Sequence, residues 1–238
     1  MINIVVLTCN RIALLKQIII GFEERLKTPY RLIVIDNNSK DGTAEYLQGL
    51  KDIVLIHNGD GQERGLCDAY TQGLDYVDSE LFITTQDDLL IPDLEPDVLT
   101  QLIDLFERNP DYGAVCLRTA DMKRRPYLGE ELIWKINACP GVFRIQRKSD
   151  MMKLGGFGIA RRWEDSMMVR LMRRLGKKSA IASNLWVKDL GLAPNRGYPE
   201  WYRKKVVGNY NKNFEWVSKD RPQRGVGEVD PKTHKPIN

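Results

Sequence analysis

The stretch Arg31–Leu50, RLIVIDNNSKDGTAEYLQGL, decides the fold class. Arg31 to Ile35 is a short apolar, β-branched run, the composition of a buried strand. It stops at Asp36-Asn37-Asn38-Ser39, residue types that favour turns. Thr43 to Leu50 then reads as a short helix. Strand, polar stop and helix recur on both sides. Upstream, Ile2 to Leu7 is a strand that ends at Thr8-Cys9-Asn10, and Ile12 to Lys27 carries Leu14, Leu15, Ile18, Ile19, Phe22 and Leu26 at helical spacing. Downstream come a strand at Ile53–His57, a helix at Leu66–Val77 and a strand at Glu80–Thr85 that stops at Gln86-Asp87-Asp88.

Alternation of this kind predicts a mostly parallel sheet flanked by helices. In open α/β sheets the ligand crevice lies outside the carboxyl ends of the strands. The polar clusters Thr8–Arg11, Asp36–Ser39 and Gln86–Asp88 are therefore expected to converge there. The second half is less regular. It reads as a helix at Pro96–Asn109, a strand at Ala114–Arg118, a basic loop at Arg118–Leu128 and a strand at Gly141–Gln146. A helix at Ser149–Leu154, one at Asp165–Leu175 stopped by Gly176, and a strand at Ile181–Val187 follow. From Ser218 the chain has few apolar residues and much Gly, Pro, Lys and Arg, the composition of a flexible tail. The expected organisation is one domain over 1–217, with a ligand-binding half at about 1–90, an acceptor half at about 91–217, and a tail at 218–238.

Composition narrows the class. Hydrophobic residues make up 42% and charged residues 29%, as in ordinary globular proteins. The net charge of +4 suits a phosphate-bearing ligand without requiring nucleic acid. Cys9, Cys67, Cys116 and Cys139 form no CxxC pair, and neither histidine, His57 or His234, lies near a cysteine in sequence. That argues against zinc and for buried free thiols in a reducing cytoplasm. No apolar run approaches the ~20 residues of a membrane span, and MINIVVLTCNR has no basic region ahead of a signal-length apolar stretch. The expectation is a cytoplasmic protein with no transmembrane segment.

Several blocks, in order, resemble glycosyltransferase family 2, which has the GT-A fold. They are VVLTCNR with LLKQI behind it, VIDNNSKDGTAEYL, HNGDGQERGLCDAYTQGL, FITTQDDLLIP, GVFRIQRKSDMMKLGGFG and WEDSMMVRLMRRLG. The resemblance covers roughly residues 3–192. It implies an inverting glycosyltransferase that moves a sugar from a nucleotide-diphosphate donor, a UDP-sugar first of all, to a hydroxyl acceptor.

The same resemblance implies roles for particular residues. FITTQDDLLIP stands where the family carries its DxD metal motif, and here the motif reads Gln86-Asp87-Asp88. A carboxylate-held Mn²⁺ or Mg²⁺ neutralises charge on the departing diphosphate. Gln86 offers a neutral carbonyl in place of the first carboxylate, so Asp88 is expected to touch the metal, with Asp87 turned inward or serving as its substitute. Thr8, Asn10 and Arg11 lie where the family holds the nucleotide. Asp36 stands at the position that contacts the base, with Asn38 beside it. Arg64 and Asp68 border the same crevice.

Trp163-Glu164-Asp165 matches the family's ED motif. It implies Asp165 as the base that takes the acceptor proton and Glu164 as a partner of the acceptor hydroxyl or of the helix end. Trp163, Gly156 in the GGF turn and Trp134 are expected on the acceptor side, the acceptor being a glycan, lipid phosphate, protein or nucleic acid. An acidic helix N-terminus is also what the helix dipole favours by itself, and NNSKDGT is also plain turn chemistry.

Two other readings compete. A sugar nucleotidyltransferase would need a Gly-rich basic loop after the first strand, and TCNRIALLK has no glycine. A GT-A domain deficient in metal that binds a glycan or nucleic acid would explain Gln86.

Overall fold

The structure, a computed structural model, describes residues 1–59, 64–119, 131–135, 139–158 and 164–190 (backbone only at 133–135 and 164). β1 (Ile2–Thr8), β2 (Tyr30–Asp36), β3 (Ile53–His57) and β4 (Leu81–Gln86) stand in the order β3-β2-β1-β4, all parallel. β1 is buried along its whole length, which is why Ile4–Leu7 reads as an unbroken apolar run rather than an alternating one. Asn3 ties this centre to the loop before β4. Its Oδ1 accepts the Asp78 and Ser79 amides at 2.6 and 3.2 Å, and its own amide donates to Ser79 Oγ at 3.0 Å.

The sheet continues through β8 (Arg144–Arg147), antiparallel to β4, then β6 (Tyr112–Thr119), antiparallel to β8, and β9 (Lys178–Asp189), parallel to β6. β5 (Leu89–Leu90) and β7 (Leu132–Lys135) both pair antiparallel with β9. β1–β4, β6 and β9 thus point one way and β5, β7 and β8 the other. The sheet is mostly parallel, as the sequence predicts.

Helices cover both faces. On one, Leu15, Ile18, Ile19 and Phe22 of α1 (Ile12–Arg25), Leu47 of α2 (Thr43–Gln48) and Leu99, Leu102 and Phe106 of α4 (Val98–Glu107) pack with Ile4 and Val6 of β1. On the other, Tyr70 and Leu74 of α3 (Leu66–Leu74), Met151 of α5 (Lys148–Lys153) and Met168 and Met172 of α6 (Glu164–Arg174) pack with Val5 and Leu7. Alternate residues of one strand therefore feed the two cores.

Several boundaries differ from the sequence reading for local reasons. α1 ends at Arg25 rather than Lys27 because Leu26 turns extended and Asp97 Oδ2 takes the Lys27 and Thr28 amides at 3.0 Å each. α3 stops at Leu74, and Asp75, Tyr76 and Val77 continue as a tighter turn, each amide bonding three residues back. β5 and β7 are too short to carry a pattern. The expected basic loop falls mainly on residues 120–130, and the end of the expected domain at 217 and the tail at 218–238 fall after 190, so they lie outside the described residues.

Cys67, Cys116 and Cys139 are buried free thiols and Cys9 is half-buried. Among the described residues no helix is long and apolar enough to cross a membrane.

Candidate active site

Strand register sets the first cluster. Thr8 lies opposite Asp36, Asp36 opposite His57, and Leu7 opposite Gln86, so the carboxyl ends of the parallel strands align in one row. One step beyond Leu7 and Gln86, Thr8 Oγ1 donates to Asp87 Oδ2 at 2.6 Å. Arg11, at the N-cap of α1, sends one nitrogen to both acids: Nη1 lies 2.9 Å from Asp87 Oδ1 and 2.9 Å from Asp88 Oδ2. Asp87 and Asp88 are buried at 1% and 3% exposure. Burial pushes the Asp87 carboxyl up to about 6; the Arg11 guanidinium opposes that rise, the neighbouring Asp88 adds to it and the Thr8 hydroxyl opposes it. Of the two readings the sequence left open for Asp87, the inward one matches its contacts.

Gln86 ends β4, half-buried. Asp88 follows, with its carbonyl accepting the Leu190 amide at 2.7 Å, so the acidic turn is braced from the far half of the sheet. Carboxylate and amide oxygens are the hard ligands that Mg²⁺ and Mn²⁺ take. Among the described residues no three His, Cys, Asp or Glu side chains gather to hold a metal by themselves. Asp88 and Gln86 would thus be supplemented by phosphate oxygens and water, the usual arrangement for Mg²⁺ at a phosphate site. The donor set fits such a cation.

A second cluster surrounds β2. Asp36 is wholly buried. Its Oδ2 lies 2.8 Å from His57 Nδ1, and its Oδ1 accepts the Ser39 amide at 3.0 Å. The Asp36 carboxylate is thus held in place from two sides, and His57 beside it is 41% exposed. Ser39 Oγ accepts the Asn10 amide at 2.8 Å, and Asn10 Oδ1 accepts the Lys40 amide at 2.6 Å. Asn10 and Asn38 both have positive φ, 53° and 66°, which asparagine tolerates better than most residues. Asn37 exchanges hydrogen bonds with the Arg64 backbone at 2.8 and 3.0 Å. Arg64 Nε donates to Asn58 Oδ1 at 3.3 Å, and its Nη1 lies 3.5 Å from exposed Asp68. His57 and Asn58 are the supporting residues that sequence reasoning did not assign to the site. The available signal was their place at the ends of adjacent strands.

The expected acceptor-side residues stand elsewhere in the fold. Asp165, in the first turn of α6, accepts the Gly141 amide at Oδ1, 2.9 Å away, and its carbonyl accepts the Cys139 amide at 3.0 Å. Gly156 has φ +97°, and a Cβ there would fall 2.6 Å from Thr71 Cγ2. The turn thus needs glycine both for its conformation and for its approach to α3. Glu164 begins α6, and Trp134 lies on β7 opposite Ala180 of β9. Trp163 lies outside the described residues, as do the side chains of Glu164 and Trp134.

A mixed sheet with helices on both faces, an acidic turn at the end of β4 and polar turns at its neighbouring strand ends define a GT-A domain. The family model of glycosyl transferase family 2 matches residues 3–163, well over half of the chain. The chain belongs to glycosyl transferase family 2.

Solved structures agree on the fold. The mannosyltransferase PcManGT from Pyrobaculum calidifontis, in complex with GDP-Man and Mn²⁺, superposes with a TM-score of 0.68 at 21% identity over 86% of this chain and 60% of that one. S. aureus TarS 1–349 in complex with UDP-GlcNAc gives 0.59 at 12% identity, covering 78% and 57%. Glucosyl-3-phosphoglycerate synthase from Mycobacterium tuberculosis, with Mn²⁺, UDP and glucosyl-3-phosphoglycerate, gives 0.59 at 16% identity, covering 87% and 75%. The chain therefore spans about 60% of the length of the first two. No curated protein matches it.

Proposed function

We propose that the chain transfers a sugar from a nucleotide-diphosphate donor, a UDP-sugar first of all, to a hydroxyl acceptor with inversion at the anomeric carbon. The observation that carries this reading is the buried Asp87–Asp88 pair at the end of β4, bridged by Arg11 at 2.9 Å to each acid. The family supports it, as do folds whose solved forms hold GDP-Man, UDP-GlcNAc, or UDP with Mn²⁺.

In this reading Thr8, Asn10, Arg11, Asn38, Arg64, Asp68, Gln86 and Asp87 shape the donor side, and Asp36 contacts the base. Asp88 would hold a divalent cation, which when bound would supply charge neutralisation at the departing diphosphate. Asp165 takes the proton from the acceptor hydroxyl while its oxygen forms the new bond to the anomeric carbon. The old bond to the diphosphate oxygen breaks and the nucleoside diphosphate leaves. The Gly141 hydrogen bond fixes the orientation of the Asp165 carboxylate. Glu164, Trp163, Gly156 and Trp134 belong to the acceptor side, and the domain extends over 1–217 with a tail from 218.

The test is paired. Asp165→Asn keeps the acceptor for Gly141 but is not a base, so turnover should fall about 10²–10⁴-fold while calorimetric donor affinity stays at the wild-type value. Wild-type turnover in this variant would remove Asp165 as the base.

A second reading draws on Gln86: a domain that binds a glycan or nucleic acid without catalysis. It predicts no release of sugar from any nucleotide-diphosphate donor, with or without Mn²⁺.

A further inference from the structure

The acidic turn already carries a cation of its own. A single Arg11 nitrogen, Nη1, meets Asp87 Oδ1 and Asp88 Oδ2, both at 2.9 Å. Charge-assisted hydrogen bonds of this length are the strong kind. In a site this buried they also offset the repulsion between adjacent carboxylates, which burial makes costly.

Exposure separates the fixed partners from the movable one. The Asp87 and Asp88 side chains are 1% and 4% exposed, whereas that of Arg11 is 16% exposed. Arg11 stands at the N-cap of α1, and its side chain makes no cap hydrogen bond. Its long stem gives it more reach than the acids, which are held by β4, by Thr8 and by the Leu190 amide. A guanidinium and a dication compete for Asp88, since two positive centres close to one carboxylate repel.

We propose that Arg11 is the internal counter-ion of the donor site. It competes with the divalent cation for Asp88, is released when that cation binds, and turns its guanidinium to the oxygens of the donor diphosphate. This rests on the reading of Asp88 as the metal-holding residue. Linkage requires reciprocity: whatever the cation gains at Asp88, the Arg11 bridge loses. Arginine suits both positions, because its planar fork pairs with carboxylate and with phosphate alike. Gln86 fits the scheme as well. With a neutral residue at that position, one guanidinium meets both carboxylates of the turn.

The consequence is an opposite sign for two ligands. Removing Arg11 should help the bare cation and harm the diphosphate. The experiment is calorimetry of Mn²⁺ alone, and of UDP at saturating Mn²⁺, on wild type, Arg11→Gln and Asp88→Ala. A charged hydrogen bond is worth about a ten-fold change in affinity or more, so Arg11→Gln should bind Mn²⁺ about ten-fold tighter and UDP about ten-fold weaker than wild type. Mn²⁺ binding that is unchanged or weaker in Arg11→Gln, with Asp88→Ala deficient, overturns the counter-ion role and leaves Asp88 as metal-holding. Mn²⁺ binding in Asp88→Ala equal to wild type overturns the underlying reading instead. UDP affinity unchanged in Arg11→Gln overturns the transfer to diphosphate. Should Arg11→Gln fail to fold, Arg11→Lys keeps a positive charge but lacks the second nitrogen and the planar fork. It should shift both affinities in the same directions by smaller factors, and no shift in Mn²⁺ affinity overturns the proposal.

Discussion

Thr8 Oγ1 and Asp87 Oδ2 are 2.6 Å apart, a hydrogen bond between the end of β1 and the turn after β4, 79 residues away in sequence. It holds the inner acid of the pair in a place where burial raises its carboxyl to about 6. Thr8→Val keeps the shape and removes the donor. The acid would then lose a partner worth about 1.5–3 kcal/mol for a charged group. We expect a melting temperature lower by about 2–4 °C for each kcal/mol lost. An unchanged melting temperature would mean that the hydroxyl does not hold Asp87.

The GGF turn offers a comparison within one loop. Gly155 and Gly156 both have positive φ, 71° and 97°. A Cβ at Gly155 meets nothing within 4 Å, whereas one at Gly156 falls 2.6 and 2.7 Å from Thr71 Cγ2 and Oγ1. That hydroxyl accepts the Phe157 amide at 3.0 Å. Gly155→Ala should cost about 1–2 kcal/mol for the left-handed backbone alone. Gly156→Ala adds the clash and should cost about 2–4 kcal/mol. Denaturant melts of the two variants check this, and equal costs would contradict it.

Asp97 is the pH-dependent brace of the fold. Burial pushes its carboxyl up, but the amides of Thr100, Lys27 and Thr28 and the Thr100 hydroxyl outweigh that and hold it below the usual carboxylate range. A lowered value in the folded state means that its stabilisation is full above the ordinary Asp value, near 3.9, and is lost as pH falls through the lower folded one. Asp97→Ala should cost about 1–2 kcal/mol at neutral pH from the lost cap of α4. As the pH falls below about 4 the gap between variant and wild type should begin to narrow, closing as it passes through the lower folded value. A gap that stays constant down to pH 2 would show that the carboxylate charge plays no part.

The parallel half of this fold was legible because its strands carry apolar, β-branched runs closed by polar residues. Ile2–Leu7 and Arg31–Ile35 are examples, and burial on both faces leaves no other pattern. The polar strand ends that form the candidate site were legible for the same reason, since strand ends announce themselves. The pairings were not. Arg11 reads equally as a first-turn residue facing solvent, and only the adjacency of β1 and β4 brings it to Asp87 and Asp88. The register of β2 on β3 likewise sets His57 against Asp36, a pairing that no local pattern reveals. β5 and β7 escaped because strands of two and four residues have no periodicity to detect.

The account rests on the acidic turn after β4 as the donor site, and one measurement tests it directly: UDP binding by calorimetry, with Mn²⁺ in excess and with chelator, on wild type, Asp88→Ala and Asp87→Asn. The expected result is binding to wild type that requires Mn²⁺, a loss of at least about ten-fold in Asp88→Ala, as for removal of a charged partner, and a smaller loss in Asp87→Asn, whose side chain is turned inward to Thr8 and Arg11. UDP affinity in Asp88→Ala equal to wild type, or a greater loss in Asp87→Asn, would contradict the assignment.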